Sequence, residues 1–252
     1  MANKHTFSAI LTGLLLVISC KVNHLADQQV EFYRIEEKKY AEVDSEITTM
    51  IAPYKEKLDA EMNKVIGKLA HSMEKQQPES TLGNWFADAL YTYGSATLDK
   101  DLAFAVQNYG GLRIPSLAEG NLTKGKIFEL MPFDNMIAIL DLDANTLKQL
   151  IDRMAFRGGW PVSAQLRYEI RNGKAENIQI MGKPINEYQT YKVLIPDYIA
   201  NGGDNCDFLL DQKRNETGVL VRDAVIEYVI TQDKAGKALT SQLDGRVKKV
   251  EY

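Results

Sequence analysis

The chain has 252 residues, of which 45% are hydrophobic and 25% are charged. This is an ordinary globular composition, and it excludes disorder caused by low hydrophobicity for most of the chain. The net charge of −4 argues against a broad binding surface for duplex DNA or RNA. With two cysteines and three histidines, a disulfide-rich scaffold and an all-cysteine zinc cluster are also excluded.

The N-terminus has the features of an export signal. Lys4 and His5 precede an apolar run over 7–18, which is shorter than the roughly 20 residues needed to span a bilayer. The run ends at Ser19-Cys20, which resembles a bacterial lipobox, and this resemblance implies a lipid on Cys20. The alternatives are a plain signal peptide or an apolar helix with an incidental cysteine.

These features predict three segments. They are a lipoprotein signal over 1–19, a tether over 20–43 and a folded domain over 44–252. The protein is then expected at the bacterial cell envelope, lipid-anchored and facing the periplasm or the surface. Cys206 is left without a partner for an internal disulfide.

The first predicted element of the domain is a helix that begins at Asp44 or Ser45. Its apolar residues follow helical spacing, and they are Ile47, Met50, Ile51, Tyr54 and Leu58. Pro53 is expected to kink or restart this helix.

Apolar periodicity predicts further strands and helices along the chain. The predicted strands cover 65–73, 101–106, 136–142, 166–171, 176–181, 191–195 and 246–251. Further helices are predicted over 82–93, from a Thr123 cap to Leu130, over 147–154 and over 218–231. Asn172-Gly173 is a hairpin signal between two of the strands. Interleaved helices and strands with hairpins predict an α+β fold in which a mixed sheet packs against helices.

Sequence patterns for metal and nucleophile chemistry are weak. The aspartate pairs Asp141/Asp143 and Asp204/Asp207 resemble Ca²⁺ ligands only loosely, and solvated or helix-capping carboxylates are the favoured interpretation. The sequence has no Gly-x-Ser-x-Gly motif and no Walker loop. Cys206 is best interpreted as a small packed thiol, because nothing suggests that His71 lies near it.

Three sequence motifs in a fixed order are the strongest indication of function. The first is Glu79 followed by Leu82-Gly83-Asn84, and the second is Asn108-x-Gly110-Gly111-x-Arg113 followed by Pro132-Phe133. The third is Asp197-Tyr198-x-x-Asn201-Gly202-Gly203-Asp204. Together they resemble the C-terminal, substrate-binding domain of the 5′-nucleotidase family, which includes bacterial UDP-sugar hydrolases and ecto-5′-nucleotidase. The resemblance covers about residues 46–252.

The resemblance implies that a nucleobase is held between two aromatic rings, which here are Phe133 and Tyr198. Two flat aromatic faces can stack on any base, and each stacking contact contributes about 1–3 kcal/mol to the binding free energy. Without the family, each ring is more simply interpreted as a loop residue anchored on the core.

The resemblance also implies polar contacts to the ligand. Asn108 matches an amide that contacts the base or the sugar in the family. Arg113 matches an arginine that reaches the ribose or phosphate side of the ligand. Asp204 matches an acid that accepts hydrogen bonds from the ribose hydroxyls. Four glycines permit close backbone approach, and they are Gly110, Gly111, Gly202 and Gly203. The alternatives are Asx turns at Asn108 and Asp204 and a surface ion pair at Arg113.

The sequence departs from the family in three places. Many relatives carry an arginine before the first motif, where this chain has Lys75-Gln76-Gln77-Pro78. Ser163-Ala164 replaces a Ser-Gly pair. The third departure is that nothing in this sequence matches the N-terminal metallophosphatase domain that carries the metals and the histidine pair in the family.

We therefore expect no catalytic residue, metal or other cofactor in this chain. The expected function is that of the nucleotide- or nucleoside-binding subunit of a split 5′-nucleotidase in nucleotide catabolism. A separately encoded metallophosphatase would supply the divalent metals and the hydrolysis. The alternatives are a lipid-anchored nucleoside capture protein without an enzymatic partner and a remnant scaffold with a collapsed pocket. A stand-alone hydrolase is the least favoured.

Overall fold

The computed structural model describes residues 45–250. The predicted signal, the tether and Cys20 lie outside the described residues. The chain divides into two compact units, 1–50 and 51–252, and of the first unit only residues 45–50 are described. All features discussed below lie in the second unit, apart from the first residues of helix α1.

The helices, in chain order, are α1 (Ser45–Met62), α2 (Thr81–Thr97), α3 (Lys124–Leu130), α4 (Ala144–Phe156), α5 (Asp197–Ala200) and α6 (Val221–Lys234). The strands are β1 (Val65–Leu69), β2 (Met73–Glu74), β3 (Leu102–Ala105), β4 (Ser116–Leu117), β5 (Gly120–Thr123), β6 (Met136–Leu142), β7 (Leu166–Arg171), β8 (Lys174–Ile180), β9 (Lys183–Pro184), β10 (Tyr191–Pro196), β11 (Arg214–Leu220) and β12 (Val247–Lys249). Among the residues described, no helix is long and apolar enough to span a bilayer.

A four-stranded mixed sheet in the order β11-β6-β10-β3 forms the centre of the domain. Strand β10 runs parallel to β3 and antiparallel to β6, and β6 runs antiparallel to β11. A second four-stranded sheet has the order β12-β7-β8-β9, with β12 parallel to β7. The predicted mixed α+β fold is confirmed.

The two faces of the central sheet are covered by different layers. On β6, Ile137 and Ile139 belong to an apolar cluster with helices α2 and α6, whereas Ala138 and Leu140 belong to a cluster with α4 and β7. Both faces are therefore buried, which explains why β6 is almost continuously apolar. Local signals set the helix starts, because Ser80, Thr123 and Asp143 each accept a hydrogen bond from a backbone N–H of the first turn.

A polar cluster, here called the C-terminal clamp, fastens the closing strand. It consists of Glu79, Asn84, Asp88, Asp244 and Arg246. Glu79 Oε1 accepts hydrogen bonds from Asn84 Nδ2 at 2.7 Å and from the Asp244 amide at 2.8 Å. Arg246 is 4% exposed and lies between the carboxylates of Asp88 and Asp244. The clamp ties the start of α2 to the segment before β12.

Two predictions about the elements need correction, and one is narrowed. The helix predicted over 218–231 begins at Val221 and ends at Lys234, while the residues before it form strand β11, which the sequence analysis missed. Strand β11 is polar and contains Gly218, so its pairing with the edge of β6 decides its conformation. Helix α1 continues through Pro53 without a restart, and the kink that the sequence offered as the other outcome stays a prediction. The single strand predicted over 65–73 is divided into β1 and β2.

Candidate functional site

The strand directions bring three predicted segments to one edge of the central sheet. The parallel pairing of β3 and β10 places their carboxyl ends at the same edge, where residues 107–113 and 197–204 follow. Since β6 is antiparallel to β10, the loop that precedes β6 also reaches this edge, and it carries Phe133. Loops at the carboxyl ends of strands are common positions for ligand sites in α/β sheets.

A cavity of about 310 Å³ lies among these loops. Its lining comprises seven of the nine residues named from the sequence together with Asn135: Asn108, Gly110, Gly111, Arg113, Phe133, Asn135, Tyr198 and Asp204. The other two, Gly202 and Gly203, do not line it, and Gly203 packs against the Tyr198 ring. A larger cleft of about 680 Å³ beside β9 and β10 contains none of the predicted site residues. Asn135 was not predicted from the sequence, although it lies only two residues after Phe133.

The two aromatic residues of the cavity are partly exposed. Phe133 is 41% exposed and Tyr198 is 45% exposed, and both line the same cavity. The guanidinium carbon of Arg113 lies 5.4 Å from the centre of the Phe133 ring, within the range of a cation–π contact. The rings are therefore not core anchors, which was the alternative interpretation of each residue alone.

Arg222, which is only 7% exposed, contacts the loop that carries Phe133 from the protein interior. Its guanidinium donates hydrogen bonds to the carbonyl oxygen of Phe133 at 3.3 Å and to Asp134 Oδ1 at 2.7 Å. The Arg222 guanidinium also stacks on the Phe128 ring at 4.1 Å. This buried arginine fixes the backbone beside Phe133 while the ring stays accessible.

The loop that carries Tyr198 depends on close backbone packing. A Cβ atom on Gly203 would lie 2.4 Å from the carbonyl oxygen of Tyr198 and 2.6 Å from its ring, so only glycine fits there. Gly202 and Asp204 have φ of +87° and +54°, in the left-handed region. The glycine pair thus seats the ring of Tyr198 and turns Asp204 toward the cavity.

A chain of polar side chains runs along one side of the cavity. Gln107 Nε2 donates to Asn108 Oδ1 at 2.8 Å, and Asn108 Nδ2 donates to Asp204 Oδ2 at 2.7 Å. Arg157 Nη2 lies 3.4 Å from the other carboxylate oxygen of Asp204. These hydrogen bonds fix the orientation of the Asn108 amide. The carboxylate of Asp204 keeps lone pairs that can accept hydrogen bonds from ligand hydroxyls. Arg157 was not predicted from the sequence.

Two cations, Lys75 and Arg113, lie at the segment 108–113, here called the glycine loop. Lys75 Nζ is 4.0 Å from the centre of the Tyr109 ring and donates to the carbonyl oxygen of Leu112 at 2.7 Å. Burial, and then the charge of nearby Arg113, lower the pKa of Lys75 below its ordinary value. Within residues 45–250, no carboxylate lies within 4 Å of either cation. This side of the cavity is therefore positively charged.

Other residues singled out in the sequence have structural roles. The first motif, from Glu79 to Asn84, does not line the cavity but belongs to the C-terminal clamp. Asp143 caps α4 and Asp141 pairs with Lys213 at 2.7 Å, as expected for capping and solvated carboxylates. In the described part of the chain, no group of three or more His, Cys, Asp or Glu side chains is arranged to hold a metal ion.

Cys206 is fully buried beneath the site, which confirms that it is a packed thiol. Burial raises the pKa of its thiol to about 12. The neutral thiol is therefore the form present near neutral pH.

Two solved structures have this arrangement of helices and sheets in part of a longer chain. A 5′-nucleotidase precursor of Thermus thermophilus superposes with a TM-score of 0.70 at 23% identity, covering 83% of this chain and 44% of that chain. NAD nucleotidase of Haemophilus influenzae superposes with a TM-score of 0.63 at 18% identity, covering 82% of this chain and 42% of that chain. The fold is therefore that of one portion of these nucleotidases.

Sequence comparison identifies which portion. Residues 65–211 match the family described as 5′-nucleotidase, C-terminal domain, and the chain belongs to this family. A 5′-nucleotidase of Vibrio cholerae is 26% identical over 180 residues, which are 67% of this chain and 31% of that protein. The chain therefore spans less than a third of the length of this curated relative.

Proposed function

We propose that the cavity binds a nucleotide by stacking its base between Phe133 and Tyr198. The observation that carries this proposal is that both exposed rings, Asn108 and Asp204 line one cavity at the edge of the sheet. The volume of about 310 Å³ lies at the lower end of the range for small-molecule sites, which suits one base with its sugar. Aromatic walls supply affinity that depends little on which base is bound.

The polar side of the cavity supports recognition of the sugar. Asp204 accepts from Asn108 and lies beside Arg157, so its carboxylate is held in place before a ligand arrives. Remaining lone pairs on a carboxylate accept readily from a vicinal pair of hydroxyls. A fixed acceptor costs less ordering entropy on binding than a mobile one.

The charge beside the glycine loop favours a nucleotide over a nucleoside. Arg113 lines the cavity, and Lys75 adds a second positive charge near it without a carboxylate within 4 Å among the described residues. A phosphate accepts charge-assisted hydrogen bonds from such groups.

The direct test is calorimetric titration of the chain with AMP. Phe133→Leu keeps apolar bulk but removes the flat face, and we expect it to weaken AMP binding by about tenfold. Tyr188→Ala is the control, because Tyr188 is 99% exposed and lies outside the cavity. Equal AMP affinity in the wild type and Phe133→Leu would contradict stacking.

We also propose that a separately encoded metallophosphatase hydrolyses the bound nucleotide. In the relatives, the matched region is one part of a longer nucleotidase, which supports a division of binding and hydrolysis between two parts. Co-purification with a metallophosphatase from the same genome, followed by an AMP hydrolysis assay with and without this chain, tests the proposal. A phosphatase that neither binds this chain nor gains activity from it would overturn the proposal.

The alternative is nucleoside capture without an enzymatic partner. It predicts that adenosine binds as tightly as AMP, whereas the positive charge of Arg113 and Lys75 predicts tighter binding of AMP. Comparison of the two ligands in the same titration separates the proposals. Arg113→Gln should remove most of the difference between AMP and adenosine if phosphate recognition is correct.

Attachment to the cell envelope is a proposal from the sequence. Metabolic labelling with a palmitate analogue should mark the wild-type protein and fail to mark Cys20→Ala. Labelling that persists in Cys20→Ala would exclude Cys20 as the site of attachment.

A further inference from the structure

Gln107 contacts the polar side of the cavity from the protein interior and does not line the cavity itself. The residue is fully buried, and its backbone N–H donates to the carbonyl oxygen of Pro161 at 3.0 Å. Its side-chain Nε2 donates to Asn108 Oδ1 at 2.8 Å. A ligand in the cavity therefore meets Asn108 and Asp204, whereas Gln107 can act on the ligand only through Asn108.

The hydrogen bonds from Gln107 to Asp204 run in one direction. An ionised carboxylate only accepts hydrogen bonds, so Asp204 Oδ2 receives one from Asn108 Nδ2, at 2.7 Å. The Asn108 amide then turns its Oδ1 away from Asp204, and Gln107 Nε2 supplies the donor that this oxygen needs. The charge of Asp204 thus determines which end of each amide faces its neighbour.

This direction has a cost at Gln107. Its Oε1 is buried, and within residues 45–250 it has no hydrogen-bond donor. A buried acceptor without a donor destabilises the fold. The opposite orientation of the Gln107 amide would bring Oε1 against Asn108 Oδ1, which places two acceptors in contact. The observed orientation therefore keeps the hydrogen bond to Asn108, although Oε1 is left without a donor among the described residues.

The backbone at Gly111 packs against the same two amides. A Cβ atom at this position would lie 2.7 Å from Asn108 Oδ1 and would collide with Gln107 Nε2. Only glycine therefore lets the glycine loop approach the two amides so closely. Asn108 is 5% exposed and Gln107 is fully buried, so their hydrogen bond is shielded from competing water.

We propose that Gln107 is a positioning residue that determines how strongly the site distinguishes ribose from 2′-deoxyribose. The proposal rests on the proposed function of the cavity, in which Asp204 accepts hydrogen bonds from the ribose hydroxyls. Gln107 holds the Asn108 amide in the orientation that donates to Asp204, so the carboxylate presents its remaining lone pairs in one direction. A fixed acceptor favours the sugar that has both hydroxyls, whereas a mobile acceptor adapts to either sugar.

The first measurement compares adenosine with 2′-deoxyadenosine by calorimetric titration of the full chain. Gln107→Met keeps the length of the side chain but removes the donor. We expect adenosine affinity to fall about fivefold and the preference for adenosine to shrink. Gln165→Met is the matched control, because Gln165 also has a buried Oε1 without a donor among the described residues but does not line the cavity. It should leave both affinities unchanged.

A pH profile separates the direction of the hydrogen bonds from packing. Gln107→Glu keeps the shape of the side chain, and the introduced carboxylate would face Asn108 Oδ1 as a second acceptor. The protonated carboxyl would instead donate to Asn108 Oδ1, as the amide does. Burial and the nearby charge of Asp204 favour this protonated form.

The adenosine affinity of Gln107→Glu is compared with that of the wild type at each pH. Asp204 and its ion-pair partner Arg157 are present in both proteins, so their own titration cancels in the ratio. The ratio should recover about fivefold as the pH falls from about 8 to about 5. A ratio that stays constant over this range would mean that Gln107 only fills space, which would overturn the proposal.

Asp204→Asn tests whether Gln107 acts through the carboxylate. An amide at position 204 can accept or donate, so the direction of the hydrogen bonds is no longer fixed. Gln107→Met should then have no further effect on adenosine affinity. An equal loss from Gln107→Met in both backgrounds would show that the two residues act independently, which would contradict the proposal.

The outcomes separate this proposal from the proposed function. If adenosine affinity depends on Phe133 but the wild type does not prefer adenosine, or Gln107→Met keeps the preference, the role of Gln107 is wrong and base stacking stands. If adenosine affinity does not depend on Phe133, the proposed function fails. Nuclear magnetic resonance signals of the Asn108 side-chain amide in the ligand-free protein then still test the positioning, since they should shift in Gln107→Met and not in Gln165→Met.

Discussion

The cavity between Phe133 and Tyr198 and the C-terminal clamp are built from similar residues, but they differ in how many of their hydrogen-bonding groups already have partners. In the clamp, all five N–H groups of Arg246 have acceptors, which are Asp88 Oδ1, Asp88 Oδ2, Asp244 Oδ1, Asp244 Oδ2 and the carbonyl oxygen of Val162. In the cavity, the contacts of Arg113 with other described residues are a 3.2 Å hydrogen bond to the carbonyl oxygen of Gly110 and a ring contact with Phe133.

This difference distinguishes a structural motif from a binding motif. A buried cation whose donors are all paired stabilises the fold but offers nothing to a ligand. An exposed cation beside an aromatic ring has donors to spare, and the cavity adds the remaining lone pairs of Asp204. Glu79 and Asn84, which carry part of the family resemblance in the sequence, belong to the clamp in the structure.

The largest expected effect comes from removing the centre of the clamp. Arg246→Ala leaves Asp88 and Asp244 without their cation, and it should lower the free energy of unfolding by about 3 kcal/mol. Urea denaturation followed by circular dichroism measures this change. Lys213→Ala is the control, because Lys213 is 84% exposed and its ion pair should contribute less than about 1 kcal/mol. Equal losses in the two variants would mean that the clamp contributes no more than an exposed ion pair.

The next largest effect should come from the loop beneath Tyr198. Gly203→Ala forces a methyl group against the Tyr198 carbonyl and ring, so we expect AMP binding to weaken by at least about tenfold. Gly182→Ala is the matched control, since a Cβ there meets nothing within 4 Å but φ is +75°. That control should cost about 1 kcal/mol of stability and leave AMP affinity unchanged. Titration of both variants with AMP decides whether the packing against Tyr198 matters for binding.

Acid should weaken the clamp. Burial by itself raises the pKa of Asp244, but hydrogen bonds and charge from Arg246, with a further contribution from Arg167, outweigh it and hold the pKa below its ordinary value. Because the pKa is lower in the folded than in the unfolded state, the stabilisation is complete above about pH 5 and declines as the pH falls through the folded value. The free energy of unfolding, measured from pH 7 downward, should decline less steeply in Asp244→Asn than in the wild type. Parallel pH profiles would show that Asp244 does not couple protonation to unfolding.

The smallest effect is expected from the ion pair at the rim of the cavity. Arg157 is 47% exposed and its contact to Asp204 is 3.4 Å long, so Arg157→Ala should change stability by less than about 1 kcal/mol. Adenosine affinity should fall by about threefold, because Asp204 loses one of its two partners. Arg153→Ala, one helical turn earlier, should leave adenosine affinity unaltered. An equal effect of the two substitutions on adenosine binding would argue for general electrostatics instead of positioning of Asp204.

Local chemistry explains which elements the sequence predicted correctly. Asn172-Gly173 turns the chain with φ of +51° and +74°, so the hairpin between β7 and β8 is visible from two residues. Asp143 accepts a hydrogen bond from the Thr146 amide at 2.8 Å, which marks the start of α4. Strand β11 has no comparable signal, because its conformation comes from backbone pairing with the edge of β6.

The residues of the candidate site also fall into those that local sequence motifs predict and those that they do not. The motifs named seven of the eight side chains or glycines that line the cavity, and they missed Asn135, whose position follows from the start of β6. Arg157 and Lys75 reach the site from the end of α4 and from the segment after β2, and no local pattern links them to it. Glu79 and Asn84, which belong to the first motif of the resemblance, were not predicted as binding residues, and the structure places them in the C-terminal clamp.

The sequence by itself determined the helix caps, the hairpin, the apolar strands and the aromatic and polar residues of the loops, since these depend on neighbours within a few positions along the chain. Only the tertiary structure decided that the loops after β3 and β10 meet the loop before β6, because strand direction and pairing are set by contacts between distant segments. The same contacts decided which charged residues are enclosed and which remain open to a ligand. That outcome depends on how much of each side chain is removed from water, which the order of residues does not state.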